Sequence, residues 1–320
     1  MKKLFLLLVI PLFVIASCKK DSDDPNPPAA TDSYQILADY LVDNDMDLPD
    51  ILAAWIVPSP AAADLNTFID TYDIIDIRGA SDFTAGHIEG AVNTTLANIL
   101  VTAANTTKTI LVVCYTGQTA AHATVALRLS GYEAKVLMWG MSGWNSSFSS
   151  PWQGNSGLVN GVTAVGNSNW VSTATTPVAQ FNNPTLTGTD GASMLEERVQ
   201  LMLNNGFKGI NNVDVLANPG AYFINNYWAE ADVTHYGHIA NAYRIMPLSI
   251  ENGEMKNIDP DKTAVTYCWT GQTSSMVTAY LNVIGYNAVS LKYGANGMIY
   301  SELESHKFVT PTVDLPVVTD

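Results

Sequence analysis

Two stretches of the chain carry the residues best suited to chemistry: residues 114–119, CYTGQT, and residues 268–273, CWTGQT. The 320-residue sequence holds only three cysteines, and two of them open these near-identical hexapeptides. A short apolar run precedes each hexapeptide, at residues 110–113 and 264–267, and reads as a buried strand. A segment with helical spacing follows, with Ala121, Val125 and Leu129 on one face in the first copy. Each cysteine therefore stands at a strand-to-helix turn. Unpaired N–H groups and the helix dipole favour negative charge there, and successive loop amides can cradle an anion. That setting predicts a lowered pKa for Cys114 and Cys268 and makes them candidate nucleophiles. Gly117 and Gly271 suit a backbone bent tightly around the sulfur. Thr119 and Thr273 are suited to cap the following helix. Tyr115, Thr116 and Gln118, with Trp269, Thr270 and Gln272, complete two candidate substrate-binding loops. A phosphate-transfer loop of the tyrosine-phosphatase kind would need an arginine where Ala120 and Ser274 stand, so the bidentate phosphate clamp is missing.

The elements around these loops repeat as well. Residues 108–143 align with 262–297 without a gap, pairing Gly131 with Gly285, Tyr132 with Tyr286, Gly140 with Gly294 and Gly143 with Gly297. Upstream, Gly86-His87-Ile88 recurs as Gly237-His238-Ile239. Such self-similarity is the mark of a tandem repeat. Gly131 and Gly285 fit the left-handed position that ends a helix, and residues 135–139 and 289–293 read as the next strands. Strand, loop, helix, strand implies an α/β fold with a parallel sheet and helical crossovers in each unit. The first unit opens on a helical segment at 33–57. Residues 145–192 are rich in Asn, Ser, Thr and Gly, and the helical segment 193–207 opens the second unit. The division is placed at residue 190, giving units 33–190 and 191–320.

The stretches DIIDIRGASDFTAGHIEGAVN (73–93), VVCYTGQTA and VLMWGMSGW resemble the rhodanese (sulfurtransferase) family. Asp76, Arg78, Gly86, His87, Ile88, Gly90, Ala91, Asn93 and Cys114 carry the likeness. The second unit follows it less fully: Asn225 and Asn226 stand near the place of the Asp-x-Arg, Asn241 replaces Gly90, and Arg244 replaces Asn93. The resemblance implies two rhodanese-like domains and a cysteine persulfide that carries sulfane sulfur from a small donor to a thiol or cyanide-like acceptor, without metal or cofactor. It also implies that Asp76 and Arg78 form a structural pair and that His87 and His238 organise their loops rather than exchange protons. Tyr115 and Trp269 stand where thiosulfate users often carry a basic residue, which favours a less charged or thiol-borne donor.

Other readings stay open beside this one. Cys114 and Cys268 could form a disulfide or a redox pair, or the domains could bind a sulfur species or a partner without turnover. The net charge of −15 and the absence of a basic stripe exclude a nucleic-acid partner. The N-terminus reads as a leader rather than fold: Lys2 and Lys3 precede an apolar run at 4–15 that is short for a membrane span. Residues 15–18, IASC, resemble a bacterial lipobox, which implies a signal peptide at 1–17 and lipidation of Cys18. Residues 18–32, acidic and Pro-rich, read as a flexible tether. The expectation is an exported protein, anchored by lipid in the cell envelope, at the outer membrane and facing the periplasm or the surface.

Overall fold

β-Branched and aliphatic runs form the centre of two parallel sheets in a computed structural model, which describes residues 32–157 and 163–320. Cys18, the leader and nearly all of the tether lie outside the described residues. The first sheet has the order β1 (Ile56–Val57), β5 (Ala134–Leu137), β4 (Thr109–Val113), β2 (Tyr72–Asp76), β3 (Val92–Asn93), with every pairing parallel. The second has the order β7 (Gly209–Ile210), β11 (Ala288–Leu291), β10 (Ala264–Tyr267), β8 (Phe223–Asn226), again all parallel. A two-stranded antiparallel ribbon joins β6 (Trp170–Val171) to β9 (His238–Ile239). In β4 and β10 nearly every side chain is buried, as expected of strands covered on both faces. The chain is thus α/β, two parallel sheets flanked by helices.

Each cysteine follows the end of a central strand, β4 or β10. The helices that begin just after them, Gln118–Leu129 and Gln272–Val283, pack against one another. The helices Ser33–Asp43 and Gly191–Asn205 join them in one shared apolar core. This packing brings the two cysteine loops into the same region, because each loop sits at the N-terminus of one of the two apposed helices.

Three local expectations change. The segment 33–57 is not one helix: it breaks into Ser33–Asp43 and Leu48–Ile51 before the edge strand β1. Asp47 caps the second of these by accepting from Leu48 N at 2.7 Å, and it also takes Ser249 Oγ at 2.6 Å and Ile250 N at 2.9 Å from the second half. The strands predicted at 135–139 and 289–293 end earlier, at Leu137 and Leu291, because Trp139 and Tyr293 take left-handed backbone angles of φ 66° and 62°. Thr119 and Thr273 do not cap their helices; Gly117 and Gly271 hold the N-cap position, with φ 80° and 78°. The amide beyond the cap is instead met by Thr116 and Thr270, whose Oγ1 atoms accept from Gln118 N at 3.4 Å and Gln272 N at 3.1 Å.

Two segments cross the division at residue 190. Residues 170–171 pair with β9 of the second half, and Thr163 donates to Gly297 O at 3.1 Å. The C-terminal residues return to the first half: Trp144 Nε1 donates to Pro316 O at 2.9 Å, and His87 and Val318 exchange backbone bonds at 2.9 Å.

The early turn out of β5 puts Gly140 against the first cysteine loop. Its angles are φ 60° and ψ −150°, and an added Cβ would collide with Cys114 O and lie 2.8 Å from Gly117 N. Gly131 also has a positive φ, of 83°, but faces open space. Gly131→Ala should therefore lower stability by about 1–2 kcal/mol from backbone strain alone. Gly140→Ala should cost clearly more, by adding a buried collision to its own strain of about 1–3 kcal/mol. Denaturant unfolding of the two variants checks this ordering; equal losses would contradict it.

Candidate active site

Cys114 is buried, at 6% exposure, yet its sulfur is not surrounded by hydrocarbon alone. Gly117 N donates to Sγ at 3.2 Å and Ala120 N at 3.4 Å. The left-handed turn at Gly117 bends the chain back so that amides at the helix start meet the sulfur. Burial nevertheless pushes the Cys114 thiol up, above the ordinary cysteine value. The amides of Ala120, Thr116 and Gly117 pull it down, and the nearby Asp76 charge pushes it further up. The lowered thiol expected from the sequence is corrected accordingly: taking the sulfur out of water costs its anion more than the loop amides return.

The second loop is built on the same plan with different contacts. Cys268, 2% exposed, accepts from Ser274 N at 3.3 Å and makes a 3.6 Å contact to Ser274 Oγ. Ser274 Oγ lies 2.8 Å from Ser290 Oγ, so hydroxyls occupy the space below this sulfur. Gly271 N makes no bond to Cys268 Sγ. Both cysteines are free, so the alternative of a disulfide between them is not realised.

Beside the first loop, Arg78 and Asp76 form a buried pair. Nη2 lies 2.6 Å from Oδ2, Nε donates to both carboxylate oxygens, and Nη2 also reaches Gly86 O at 2.7 Å. The guanidinium lies 5.2 Å from the Tyr115 ring centre and 5.3 Å from that of Phe148, within cation–π range. Its Nη1 is buried without a partner. The Tyr115 hydroxyl is pushed above its usual value by burial first and then by Asp82. Strand register shows what replaces this pair in the second half. Asp76 lies beside Val113, and Asn226 lies beside Tyr267, so Trp228 takes the place of Arg78. Trp228 stacks on Trp269 at 4.2 Å and 11°, and His306 stacks on Trp269 at 5.1 Å. An aromatic stack thus stands where the first half has a cation over a ring. Arg244 keeps the role of Asn93: each side chain donates to the backbone oxygen of Trp228 or Arg78, at 3.0 and 2.9 Å.

The two loops touch. Gln272 Nε2 donates to Thr116 O at 3.1 Å, and Gln118 Oε1 accepts from Tyr293 N at 2.9 Å. The Tyr293 hydroxyl is pushed up to about 12, by burial first and then by the nearness of Cys114, so the second half contributes a phenol to the surroundings of the first thiol. The histidines His87 and His238 bind backbone carbonyls: His87 Nδ1 meets Phe83 O at 2.9 Å, and His238 meets Ile239 O and Thr173 O, each at 2.8 Å. Sequence reasoning missed Tyr293, Trp228, Ser274 and His306. Tyr293 and Trp228 could have been found from the register of the repeat, whereas His306 lies beyond it. Among the described residues no cluster of His, Cys, Asp and Glu could hold a metal, and no helix is long and apolar enough to cross a membrane.

A family model described as the rhodanese-like domain matches residues 61–147 and again 201–299. No curated protein matches the chain. Among solved structures, a rhodanese-related protein from Thermoplasma volcanium is 23% identical, over 28% of this chain and 89% of that one, with a TM-score of 0.25. A rhodanese-like domain protein from Staphylococcus aureus is 19% identical, over 28% and 90%, with a TM-score of 0.25. A thiosulfate sulfurtransferase from Pseudomonas aeruginosa is 14% identical, over 80% of this chain and 46% of that one, with a TM-score of 0.27.

Next to the loops, His122 is buried on the first-loop helix, edge-on to Phe207 at 5.9 Å, with its Nε2 unpartnered. Burial lowers its pKa from 6.5 to about 4, and Lys208 adds to the effect. Below pH 6.5 the unfolded chain binds a proton at this residue that the folded chain refuses, so stability falls as pH drops toward 4. The loss between pH 7 and pH 4.5 should be about 2–3 kcal/mol from this one group. Denaturant midpoints at the two pH values check it: the difference should shrink in His122→Gln, and an unchanged difference would remove His122 as the cause.

Proposed function

Because the chain belongs to the rhodanese-like domain family, a family of the sulfurtransferase type, we propose that it transfers sulfane sulfur through a persulfide on Cys114. The observation that carries this reading is the pair of backbone amides on Cys114 Sγ at the start of a helix. In the loading step, the Cys114 sulfur attacks the outer sulfur of a donor persulfide R–S–SH. The Cys114 S–S bond forms, the donor S–S bond breaks, and the thiol proton leaves with R–SH. In the unloading step, an acceptor thiol or cyanide-like nucleophile takes the outer sulfur and Cys114 returns to the thiol. No external oxidant or reductant is needed, since the sulfur moves at one oxidation level. The loop amides would hold negative charge on the carried sulfur as oxyanion donors do.

The donor we favour is a small-thiol persulfide rather than thiosulfate. Arg78, the cation beside Tyr115, is committed to Asp76, and both Asp76 and Asp82 stand near the loop. A doubly charged donor would meet negative charge without a free guanidinium fork. Cys268 is a second candidate carrier in the same chemistry. The depth of both thiols favours one other reading, a non-catalytic module that binds a sulfur species or carries it at the cell envelope. We also place the protein at that envelope, anchored through Cys18.

Two experiments test these statements. Incubation with cysteine persulfide should add the mass of one sulfur to the peptide containing Cys114, and Cys114→Ser should lose it; thiosulfate should load it more slowly. Absence of added sulfur on both Cys114 and Cys268 would leave only the binding reading. Labelling of cells with radioactive palmitate should mark the full-length chain and spare Cys18→Ala; equal labelling would refute the anchor.

A further inference from the structure

The contact from Gln272 lands on a particular peptide unit. Thr116 O, which accepts from Gln272 Nε2 at 3.1 Å, and Gly117 N, which donates to Cys114 Sγ at 3.2 Å, belong to the same peptide bond. A side chain from the second repeat therefore grips the oxygen of the peptide whose hydrogen points at the first sulfur. The peptide is planar, so fixing its oxygen fixes the direction of its N–H. Hydrogen bonds in such a chain also polarise one another, and a donor on the carbonyl makes the amide a stronger donor to sulfur.

The rest of the site agrees with this role. Gln272 is 1% exposed, and its amide fills the space that a Cβ on Gly117 would need. The orientation of its amide is fixed by its partner, since only nitrogen can donate to a carbonyl. The second loop provides an internal comparison. Gln118 spends its amide on Thr116 Oγ1 and on Tyr293 N, not on Thr270 O. The peptide between Thr270 and Gly271 is not gripped, and Gly271 N does not reach Cys268. Where the cross-repeat grip is present the amide meets the sulfur, and where it is absent the amide does not.

We propose that Gln272 is a positioning residue acting across the repeats, holding the Thr116–Gly117 peptide so that its N–H remains on the sulfur of Cys114. This deepens the sulfur-transfer reading and rests on it for its biological meaning. The second repeat then serves the first thiol directly, independently of whether Cys268 carries sulfur.

The test is site-resolved alkylation by iodoacetamide of the full-length protein, followed across pH by peptide mass spectrometry at Cys114 and Cys268 separately. Gln272→Ala should move the Cys114 profile to higher pH and slow its alkylation near neutrality about three- to tenfold, as expected for loss of support to one charge-assisted bond. Gln272 stands in the loop of Cys268, yet the shift at Cys114 should exceed any shift at Cys268. Gln272→Met keeps the length but presents neither a donor to Thr116 O nor a charge, and should act in the same direction; it serves where the alanine variant does not fold. Mere loosening of the loop would instead speed alkylation at every pH without moving the midpoint, and that outcome would overturn the proposal. So would an unmoved Cys114 midpoint in both variants, or equal shifts at the two cysteines. Should Cys114 accept no sulfur from any donor while its alkylation profile still shifts, the sulfur-transfer reading fails and the positioning role stands.

Discussion

The arrangement depends on a contest at one sulfur atom. Cys114 has been taken out of water, which opposes its anion, and backbone amides have been brought to it, which favour the anion. Everything near the site serves one side of that contest or the other. β4 ends in a row of fully buried aliphatic residues and delivers the cysteine into the interior. The left-handed turn at Gly117 then reverses the backbone so that N–H groups point inward. Gly140, without a side chain, lets the chain leaving β5 lie against the back of the loop. A loop of ordinary residues could not be pressed from both sides in this way, because a Cβ at 117 or 140 would occupy space already taken by Gln272 or by the Cys114 carbonyl.

The two halves solve the same packing problem with different chemistry. In the first, a buried ion pair sits beside the cysteine loop and lends its guanidinium to two aromatic rings. In the second, Asn226 and Trp228 replace the pair, and the indole stacks on Trp269. Such a replacement removes two charges that must each be desolvated, and exchange of a buried ion pair for apolar surface is often neutral or stabilising. The exchange of segments reinforces the union of the halves. Residues 163–171 join the second half, through Gly297 and the ribbon strand β9, while the C-terminal residues return to Trp144 and His87 of the first, so neither half is complete as a contiguous stretch of chain.

The sheets and the position of the two cysteines were legible because they rest on local patterns: unbroken apolar runs for β4 and β10, helical spacing after them, and glycines at the turns. The gap-free repeat made the architecture readable twice over. What failed was decided by contacts at long range. Thr119 and Thr273 looked like caps, but the chain needed glycine at the cap to turn the amides inward, which left Thr116 and Thr270 to meet the next amide. Trp139 and Tyr293 looked like strand ends, but tight approach of Gly140 and Gly294 to the cysteine loops takes the chain out of the sheet two residues earlier. The thiol pKa was misread for a similar reason: a sequence shows the helix start that lowers it, not the depth of burial that raises it. The mutual contact of Gln118 and Gln272 with the opposite halves was invisible, since nothing local distinguishes them from helix-start residues facing solvent.

A buried thiol whose pKa is raised fits the sulfur carrier proposed above when the carried species is considered as well as the free cysteine. Adding a sulfur moves the reacting atom one bond further from the backbone. Negative charge on an outer atom nearer to water than Sγ carries a smaller desolvation penalty, while the inward amides would still hold the inner sulfur as the bond breaks. The loop can then disfavour the resting thiolate and still stabilise the thiolate that departs during unloading, provided the amides are already oriented. Preorganisation of that kind requires a peptide that cannot swing, and a grip from the opposite repeat supplies the constraint that a six-residue turn alone does not have.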